Sequence, residues 1–215
     1  KVMTPKVAAS PELSARFTQE AIVLGRLDHP HIVPIHDLGT DAQGHNYYAM
    51  KFVRGTTLKE VLTGLRKGQS KIVDRYPLAR LLEIFQKICD AVGNAHSKGI
   101  IHRDLKPANI MIGEFGEVMV MDWGIAKILN QPENTFNTTP LGSGSGTRYG
   151  TVMGTPRFMA PEQAEGRLDA INERTDIYSL GAILYNILTL RPPIAGEGAN
   201  ADLMERVKAG QITSP

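Results

Sequence analysis

The sequence is poor in cysteine and in aromatic residues: Cys89 is the single cysteine, and Phe, Trp and Tyr make up 6% of 215 residues. A lone cysteine excludes an internal disulfide and favours a reducing, cytoplasmic compartment. Cys89 falls on the apolar face of a predicted helix, which indicates a buried structural thiol. No apolar run approaches the about 20 residues of a membrane-spanning helix, and no signal-peptide pattern opens the chain.

The sequence also lacks an excess of positive or negative charge. The formal net charge is +2, and no run of like charges forms a basic or acidic tail. A net charge this small gives no support for a nucleic-acid-binding or membrane-binding surface, and it argues against a protein that only binds nucleic acid. With 42% apolar and 21% charged residues, the chain can bury one compact core, so composition bounds the class without revealing a function.

Residues 102–109, HRDLKPAN, bring together a carboxylate, two cations and an amide. Asp104 can orient a hydroxyl group and accept its proton, and Lys106 can neutralise a transferring phosphoryl group. Asn109 can hold a magnesium ion. A solvated, charged turn is the alternative for the first three residues alone. The complete spacing HRDLxxxN is much rarer, and it predicts a site that handles phosphate.

A β-hairpin is predicted directly after this stretch, with short apolar strands at 110–112 and 118–121 around a turn at 113–116. Asn109 precedes the first strand and Asp122 follows the second, so pairing brings their backbones to roughly 5 Å at the open end. Carboxylate and amide oxygens suit magnesium better than zinc. The hairpin therefore predicts a magnesium site, with an ordinary turn aspartate as the alternative for Asp122.

Three ordered motifs now resemble a protein kinase. Residues 102–109 resemble the catalytic loop, Asp122-Trp123-Gly124 stands in the place of DFG, and Ala160-Pro161-Glu162 matches APE. In detail the sequence is similar to bacterial eukaryote-like (Hanks-type) serine/threonine kinases. Lys106 supports the serine/threonine side, and the resemblance covers residues 1–215.

The resemblance implies an α+β fold of two lobes with ATP between them. Residues 1–53 would be the remainder of a small β-plus-helix lobe, truncated at its N-terminus before the glycine-rich loop. Residues 54–215 would be a larger, mainly helical lobe that holds the catalytic loop and the activation segment and is truncated at its C-terminus.

The resemblance also assigns roles at the site. Asp104 would be the catalytic base, Lys106 the contact to the γ-phosphate of ATP, and Asn109 and Asp122 the ligands of Mg²⁺.

Lys1 and Glu20 resemble the ion pair that positions the α- and β-phosphates of ATP. An independent argument concerns Glu20, which lies on the apolar face of a helix predicted to start at residues 10–12. A carboxylate in an apolar stripe needs a cation. The alternative is a local pair with Arg16 on the same helix.

The adenine pocket is assigned by resemblance alone. Met50 would be the gatekeeper, the backbone of Lys51 and Val53 would be the hinge that hydrogen-bonds adenine, and Met111 would form the floor. An ordinary strand end is the alternative for residues 50–53.

Residues 130–150 are rich in Asn, Thr, Ser, Gly and Pro, which predicts a mobile segment. A bland linker is the alternative to the activation segment that the resemblance implies. Thr151 would be a phosphorylated switch that pairs with Arg103, with Thr147 as the rival acceptor. Thr155 would bridge the catalytic aspartate and lysine.

Apolar periodicity predicts strands at 32–35 and 46–50, and helices at 58–65 and 78–97. A further helix is predicted to be capped at 175–176 and to be apolar nearly all round, as in the centre of a large lobe. The stripe of the helix over 78–97 comprises Leu78, Leu81, Leu82, Phe85, Ile88, Cys89 and Val92. The apolar residues of the last helix are Ile177, Leu180, Ile183, Leu184, Ile187 and Leu188.

Asp176 at the start of that last helix would, by resemblance, hold the backbone of the catalytic loop. A hydrophobic spine would stand on it, formed by Leu24, Ile35, His102 and Trp123.

The sequence thus predicts transfer of the γ-phosphoryl group of ATP to Ser or Thr hydroxyls of protein substrates, with autophosphorylation in a possible homodimer. The first rival is a pseudokinase that acts as a nucleotide-dependent switch or scaffold, suggested by Trp123 in the place of phenylalanine. The second is a helical interaction module that binds no nucleotide.

Overall fold

A computed structural model of the chain describes residues 1–129, 156–194 and 200–214. Residues 1–50 contain two helices and a two-stranded antiparallel sheet: α1 (Pro5–Ala8), α2 (Pro11–Arg26), β1 (Ile35–Thr40) and β2 (Asn46–Met50). Ser10 caps α2 by accepting a hydrogen bond from the Leu13 N–H. The turn between the strands contains Gly44 at φ +82°, a backbone region that favours glycine.

The strand predicted at 32–35 begins only at Ile35, so this prediction was wrong at its start. Pro34 has no N–H to donate to a ladder, and its carbonyl accepts from the Lys51 N–H instead. Ile32 forms an isolated bridge with Val120, which ties this segment to the second half of the chain.

The next elements are one short strand and three helices. They are β3 (Gly55–Thr57), α3 (Leu58–Arg66), α4 (Ser70–Arg75) and α5 (Leu78–Ser97). α5 has the predicted bounds, and Gly99 follows it at φ +69°. α4 was not predicted, because its sequence is mostly polar and no residue in it is buried.

The buried stripe of α5 is narrower than predicted. Leu78 is 51% exposed and Leu82 is 40% exposed, so these two residues do not belong to it. Cys89 is half-buried, and burial raises the pKa of its thiol. The buried positions of the helix are Leu81, Ile84, Ile88, Ala91, Val92 and Ala95.

The predicted hairpin is present. It consists of β5 (Ile110–Gly113) and β6 (Val118–Val120). The short strand β4 (Ile100–Ile101) and a 3₁₀ turn at Pro107–Asn109 precede it, and the short strand β7 (Lys127–Ile128) follows it. β5 pairs antiparallel with both β3 and β6, and β4 pairs with β7.

The remaining described elements are helical: a 3₁₀ turn at Pro156–Phe158, α6 (Pro161–Ala164), a 3₁₀ turn at Leu168–Ala170, α7 (Glu173–Thr189) and α8 (Asn200–Lys208). The cap of α7 is Asn172, whose side chain accepts from the Arg174 N–H. The cap predicted at 175–176 was therefore wrong, because these two residues lie inside the first turn.

α7 is not buried on every side, contrary to the prediction. Ile177 is 56% exposed and Leu188 is 57% exposed, on a stripe that no described element covers. The opposite side of α7 enters the main core through Leu180, Ile183 and Ile187. That core also contains Leu24 and Val33 from the first part of the chain, and so it joins the small sheet region to the larger helical region.

The architecture is α+β, as the sequence predicted. Among the described residues, no helix is long and apolar enough to cross a membrane.

Candidate active site

The backbone of residues 102–103 is held by the carboxylate of Asp176, which is 1% exposed. Asp176 Oδ2 accepts from the His102 N–H at 2.8 Å, and Oδ1 accepts from the Arg103 N–H at 2.9 Å. His96 Nε2 lies 2.8 Å from Oδ2. Hydrogen bonds to a buried charged group are among the stronger ones in proteins, so the first turn of α7 fixes the start of the predicted catalytic loop.

The fully buried His102 ring links this loop to the end of β6. Its Nδ1 accepts from the Asp104 N–H at 3.2 Å, so the neutral ring carries its hydrogen on Nε2, 3.0 Å from the Met121 carbonyl. The Trp123 ring packs on His102 with centroids 4.5 Å apart, and Trp123 Nε1 donates to the Val120 carbonyl.

The predicted spine residues Leu24 and Ile35 lie in the same hydrophobic cluster as Trp123, Leu24 fully buried and Ile35 half-buried.

The Asp104 carboxylate is at the centre of the predicted catalytic residues. Lys106 Nζ lies 2.9 Å from Oδ1 and 2.6 Å from Oδ2, and Asn109 Nδ2 donates to Oδ2 at 3.0 Å. The Asp104 side chain is 26% exposed, which leaves it accessible to a substrate hydroxyl. The structure therefore brings the predicted base, cation and amide into direct contact.

Asn109 and Asp122 flank the open end of the hairpin, as predicted. The Met121 N–H donates to the Asn109 carbonyl at 2.8 Å, which continues the β5–β6 ladder by one step. Asn109 directs its amide nitrogen to Asp104, and this leaves its side-chain oxygen for another partner.

Asp122 is exposed, has φ +64° and has no hydrogen-bond or ion-pair partner among the described residues. A non-glycine residue in this conformation often marks a functional site. Because the part of the chain that the structure describes has no cluster of three or more His, Cys, Asp and Glu, a metal here would need the Asn109 amide and substrate oxygens as well. This oxygen donor set fits Mg²⁺.

The predicted ion pair between Lys1 and Glu20 is present. Lys1 Nζ lies 2.7 Å from Glu20 Oε1 and 2.9 Å from Oε2. The Glu20 side chain is 8% exposed, whereas that of Lys1 is 47% exposed. The side chain of Arg16, the alternative partner, lies outside the described part.

Asp122 and the Lys1–Glu20 ion pair both lie close to Gly124. A Cβ at Gly124 would lie 3.6 Å from Asp122 Oδ1 and 3.9 Å from Glu20 Oε2. Burial, with the Glu20 and Asp122 carboxylates nearby, raises the pKa of Tyr48, so its hydroxyl stays protonated beside Glu20. The Lys1–Glu20 ion pair and the predicted metal ligand Asp122 therefore lie next to each other, beside Gly124.

The residues assigned to the adenine pocket lie on separate elements. Met50 ends β2 opposite Ile35, and the Lys51 N–H is already bonded to the Pro34 carbonyl. Met50, Val53 and Met111 are all half-buried. Met50 and Val53 both pack against the main hydrophobic core.

Thr175 was missed by the sequence analysis as a partner of the APE motif. Its Oγ1 donates to Glu162 Oε1 at 2.7 Å. No local pattern signals this contact, because α6 and α7 must first be packed together.

The described residues do not include the segment 130–150 or the predicted activation-segment residues Thr147, Thr151 and Thr155.

Residues 1–214 match the family model described as protein kinase domain. The chain is 44% identical over 192 residues to the serine/threonine-protein kinase PknD of Protochlamydia amoebophila, which covers 85% of the chain and 19% of that relative. It is 38% identical to PknD of Chlamydia muridarum, over 90% of the chain and 22% of the relative.

The chain is also 36% identical to the probable serine/threonine-protein kinase SCO3848 of Streptomyces coelicolor, over 97% of the chain and 28% of the relative. It therefore spans less than a third of the length of these curated relatives.

Proposed function

The chain belongs to the protein kinase domain family, and on that premise we propose that it transfers the γ-phosphoryl group of ATP to Ser or Thr hydroxyls of protein substrates. The observation that carries the proposal is the set of contacts around Asp104, whose carboxylate touches both Lys106 and Asn109. The names of the relatives support the choice of Ser and Thr as acceptors.

In this reaction Asp104 orients the acceptor hydroxyl and takes its proton as the hydroxyl oxygen bonds to the γ-phosphorus. The bond from the γ-phosphorus to the bridging oxygen breaks, and ADP leaves with the electron pair. Lys106 contacts both Asp104 oxygens, so its ammonium group lies beside the position where the acceptor hydroxyl would bind Asp104. Its ammonium group balances the charge on the transferring phosphoryl oxygens.

Asn109 and Asp122 would hold Mg²⁺ through an amide oxygen and a carboxylate. When bound, the ion neutralises charge on the phosphate oxygens. The donor set and the free Asp122 oxygens support this assignment.

Glu20 orients the Lys1 ammonium group toward the α- and β-phosphates. Met50, the backbone of Lys51 and Val53, and Met111 would enclose the adenine. This assignment divides the domain into residues 1–53 and 54–215, with ATP between the two parts.

The pseudokinase alternative rested on Trp123. The buried Trp123 ring packs on His102 and its N–H is bonded, so the larger residue is accommodated beside the catalytic loop without an unsatisfied group. This observation favours an active enzyme. The proposal also includes autophosphorylation between two copies of the chain. The single cysteine supports a cytoplasmic location.

The test is Asp104→Asn in the complete protein. We expect turnover to fall by about 10²-fold or more with ATP affinity nearly unchanged, because a base acts mainly in the transition state. Steady-state kinetics and Mg-ATP titration measure the two effects, and exposed Asp74→Asn on α4 is the matched control. Near-normal turnover in Asp104→Asn would contradict the proposal.

A further inference from the structure

Gln163 in α6 reaches across to the catalytic loop, sixty positions earlier in the chain. Its Nε2 donates to the Arg103 carbonyl at 2.7 Å, while its Oε1 accepts from the Ala160 N–H at 3.2 Å. Resting on the function proposed above, we propose that Gln163 is a positioning residue that fixes the peptide group carrying Asp104.

The backbone of Arg103 needs such support. Arg103 has φ +68°, a left-handed conformation that is disfavoured for a residue with a side chain and persists only where surrounding contacts hold it. The Arg103 N–H is held by Asp176, and its Nε donates to the Ile125 carbonyl at 2.6 Å. Gln163 holds the remaining backbone group, the carbonyl.

That carbonyl belongs to the peptide group between Arg103 and Asp104, which is held at both ends. The Gln163 amide binds its oxygen, and His102 Nδ1 accepts from its N–H at 3.2 Å. Because the peptide group is planar, these two contacts fix its rotation. Its rotation sets the direction in which the Asp104 side chain leaves the backbone.

The first turn of α7 supports both sides of this arrangement. Asp176 binds the N–H groups of the loop, and the neighbouring Thr175 binds Glu162, the residue before Gln163. α7, the catalytic loop and α6 therefore form a closed set of hydrogen bonds. Gln163 makes the contact from α6 to the loop.

Two substitutions separate this role from ordinary packing. Gln163→Glu keeps an acceptor for the Ala160 N–H but replaces the donor that faces the Arg103 carbonyl. Gln163→Met has a similar length and removes both bonds. Gln86→Glu at an exposed position of α5 makes the same chemical change away from the site.

In the complete protein, we expect Gln163→Glu and Gln163→Met to lower kcat at least about tenfold, with KM for ATP within about twofold of wild type. Gln86→Glu should match wild type. Hydrogen exchange of the peptide covering residues 102–106, followed by mass spectrometry, should be at least about tenfold faster in both Gln163 variants, since the Asp104 N–H loses its fixed geometry.

Unchanged loop exchange in Gln163→Glu would overturn the inference, whether or not the wild-type protein proves to be a kinase. If wild type transfers phosphate, a kcat of Gln163→Glu within about twofold of wild type would also overturn it. So would a kcat loss that disappears when rates are normalised to the folded fraction from thermal unfolding. An inactive wild type would reject the proposed function alone, because the exchange measurement does not need activity.

Discussion

The catalytic loop, residues 102–109, and the junction between Lys1 and Glu20 hold charged groups in place by different kinds of contact. In the loop, the buried side chains of Asp176 and His102 and the half-buried side chain of Gln163 bind backbone groups of successive residues at 2.7–3.2 Å. At the junction, one ion pair joins two side chains, and one of them is 47% exposed.

The magnitudes of these contacts differ as well. A hydrogen bond to a charged group, such as the bonds from the His102 and Arg103 N–H groups to Asp176, contributes about 1.5–3 kcal/mol, and leaving a buried neutral group unsatisfied costs about 1–3 kcal/mol. An ion pair with solvent access typically contributes about 0.2–1 kcal/mol. From this comparison we expect the loop to open only together with the core, and the Lys1–Glu20 ion pair to open while the core stays folded.

The largest expected effect comes from breaking the support of the loop. Asp176→Ala leaves two N–H groups and His96 without their acceptor in the core, so we expect the free energy of unfolding to fall by about 3–5 kcal/mol. Chemical denaturation of the kinase domain measures this loss. The matched control is Asp202→Ala, an exposed partner of Arg206 on α8, with a change of about 0.5 kcal/mol or less.

A loss in Asp176→Ala no larger than that in Asp202→Ala would remove the difference between a supported loop and an ordinary surface contact.

The next effect separates binding of metal from stability. Asp122→Asn should raise the Mg²⁺ concentration for half-maximal transfer by about tenfold or more, because it removes a charged oxygen ligand. The free energy of unfolding should hardly change, since Asp122 has no partner among the described residues. A magnesium titration of activity measures the shift, and exposed Asp90→Asn is the control.

Unchanged magnesium dependence in Asp122→Asn would remove this residue from the proposed metal site.

At the junction we expect a much smaller loss of stability than in Asp176→Ala. Glu20→Gln keeps the size of the side chain and leaves Lys1 without its counter-charge, so KM for ATP should rise about tenfold. The free energy of unfolding should fall by only about 1 kcal/mol, because Lys1 keeps access to water. Steady-state kinetics and denaturation test both parts, with exposed Glu83→Gln as the control.

A stability loss in Glu20→Gln as large as in Asp176→Ala would erase the contrast between the two regions.

The contacts that sequence analysis predicted are those that local pattern or family resemblance reaches. The hairpin follows from two apolar runs and a turn, and this alone places Asn109 near Asp122. That Glu20 needs a cation follows from its place on an apolar helix face, and Lys1 as that cation follows from the family resemblance. Asp176 as the support of the loop follows from the family resemblance.

The contacts that were missed depend on packing between distant elements. Gln163 meets Arg103, and His96 meets Asp176, across 60 and 80 positions of sequence. The exposure of Leu78 and Ile177 was missed for a related reason. Periodicity shows which face of a helix is apolar, but it does not show how much of that face its neighbours cover.

The independence of the two regions is tested most directly by hydrogen exchange in wild type and Glu20→Gln, followed by mass spectrometry of the complete protein. We expect peptides from α2 to exchange about tenfold faster in the variant, while the peptide over residues 102–106 stays within about twofold of wild type. Faster exchange of the loop together with α2 would contradict a loop that α6, α7 and β6 hold without the junction.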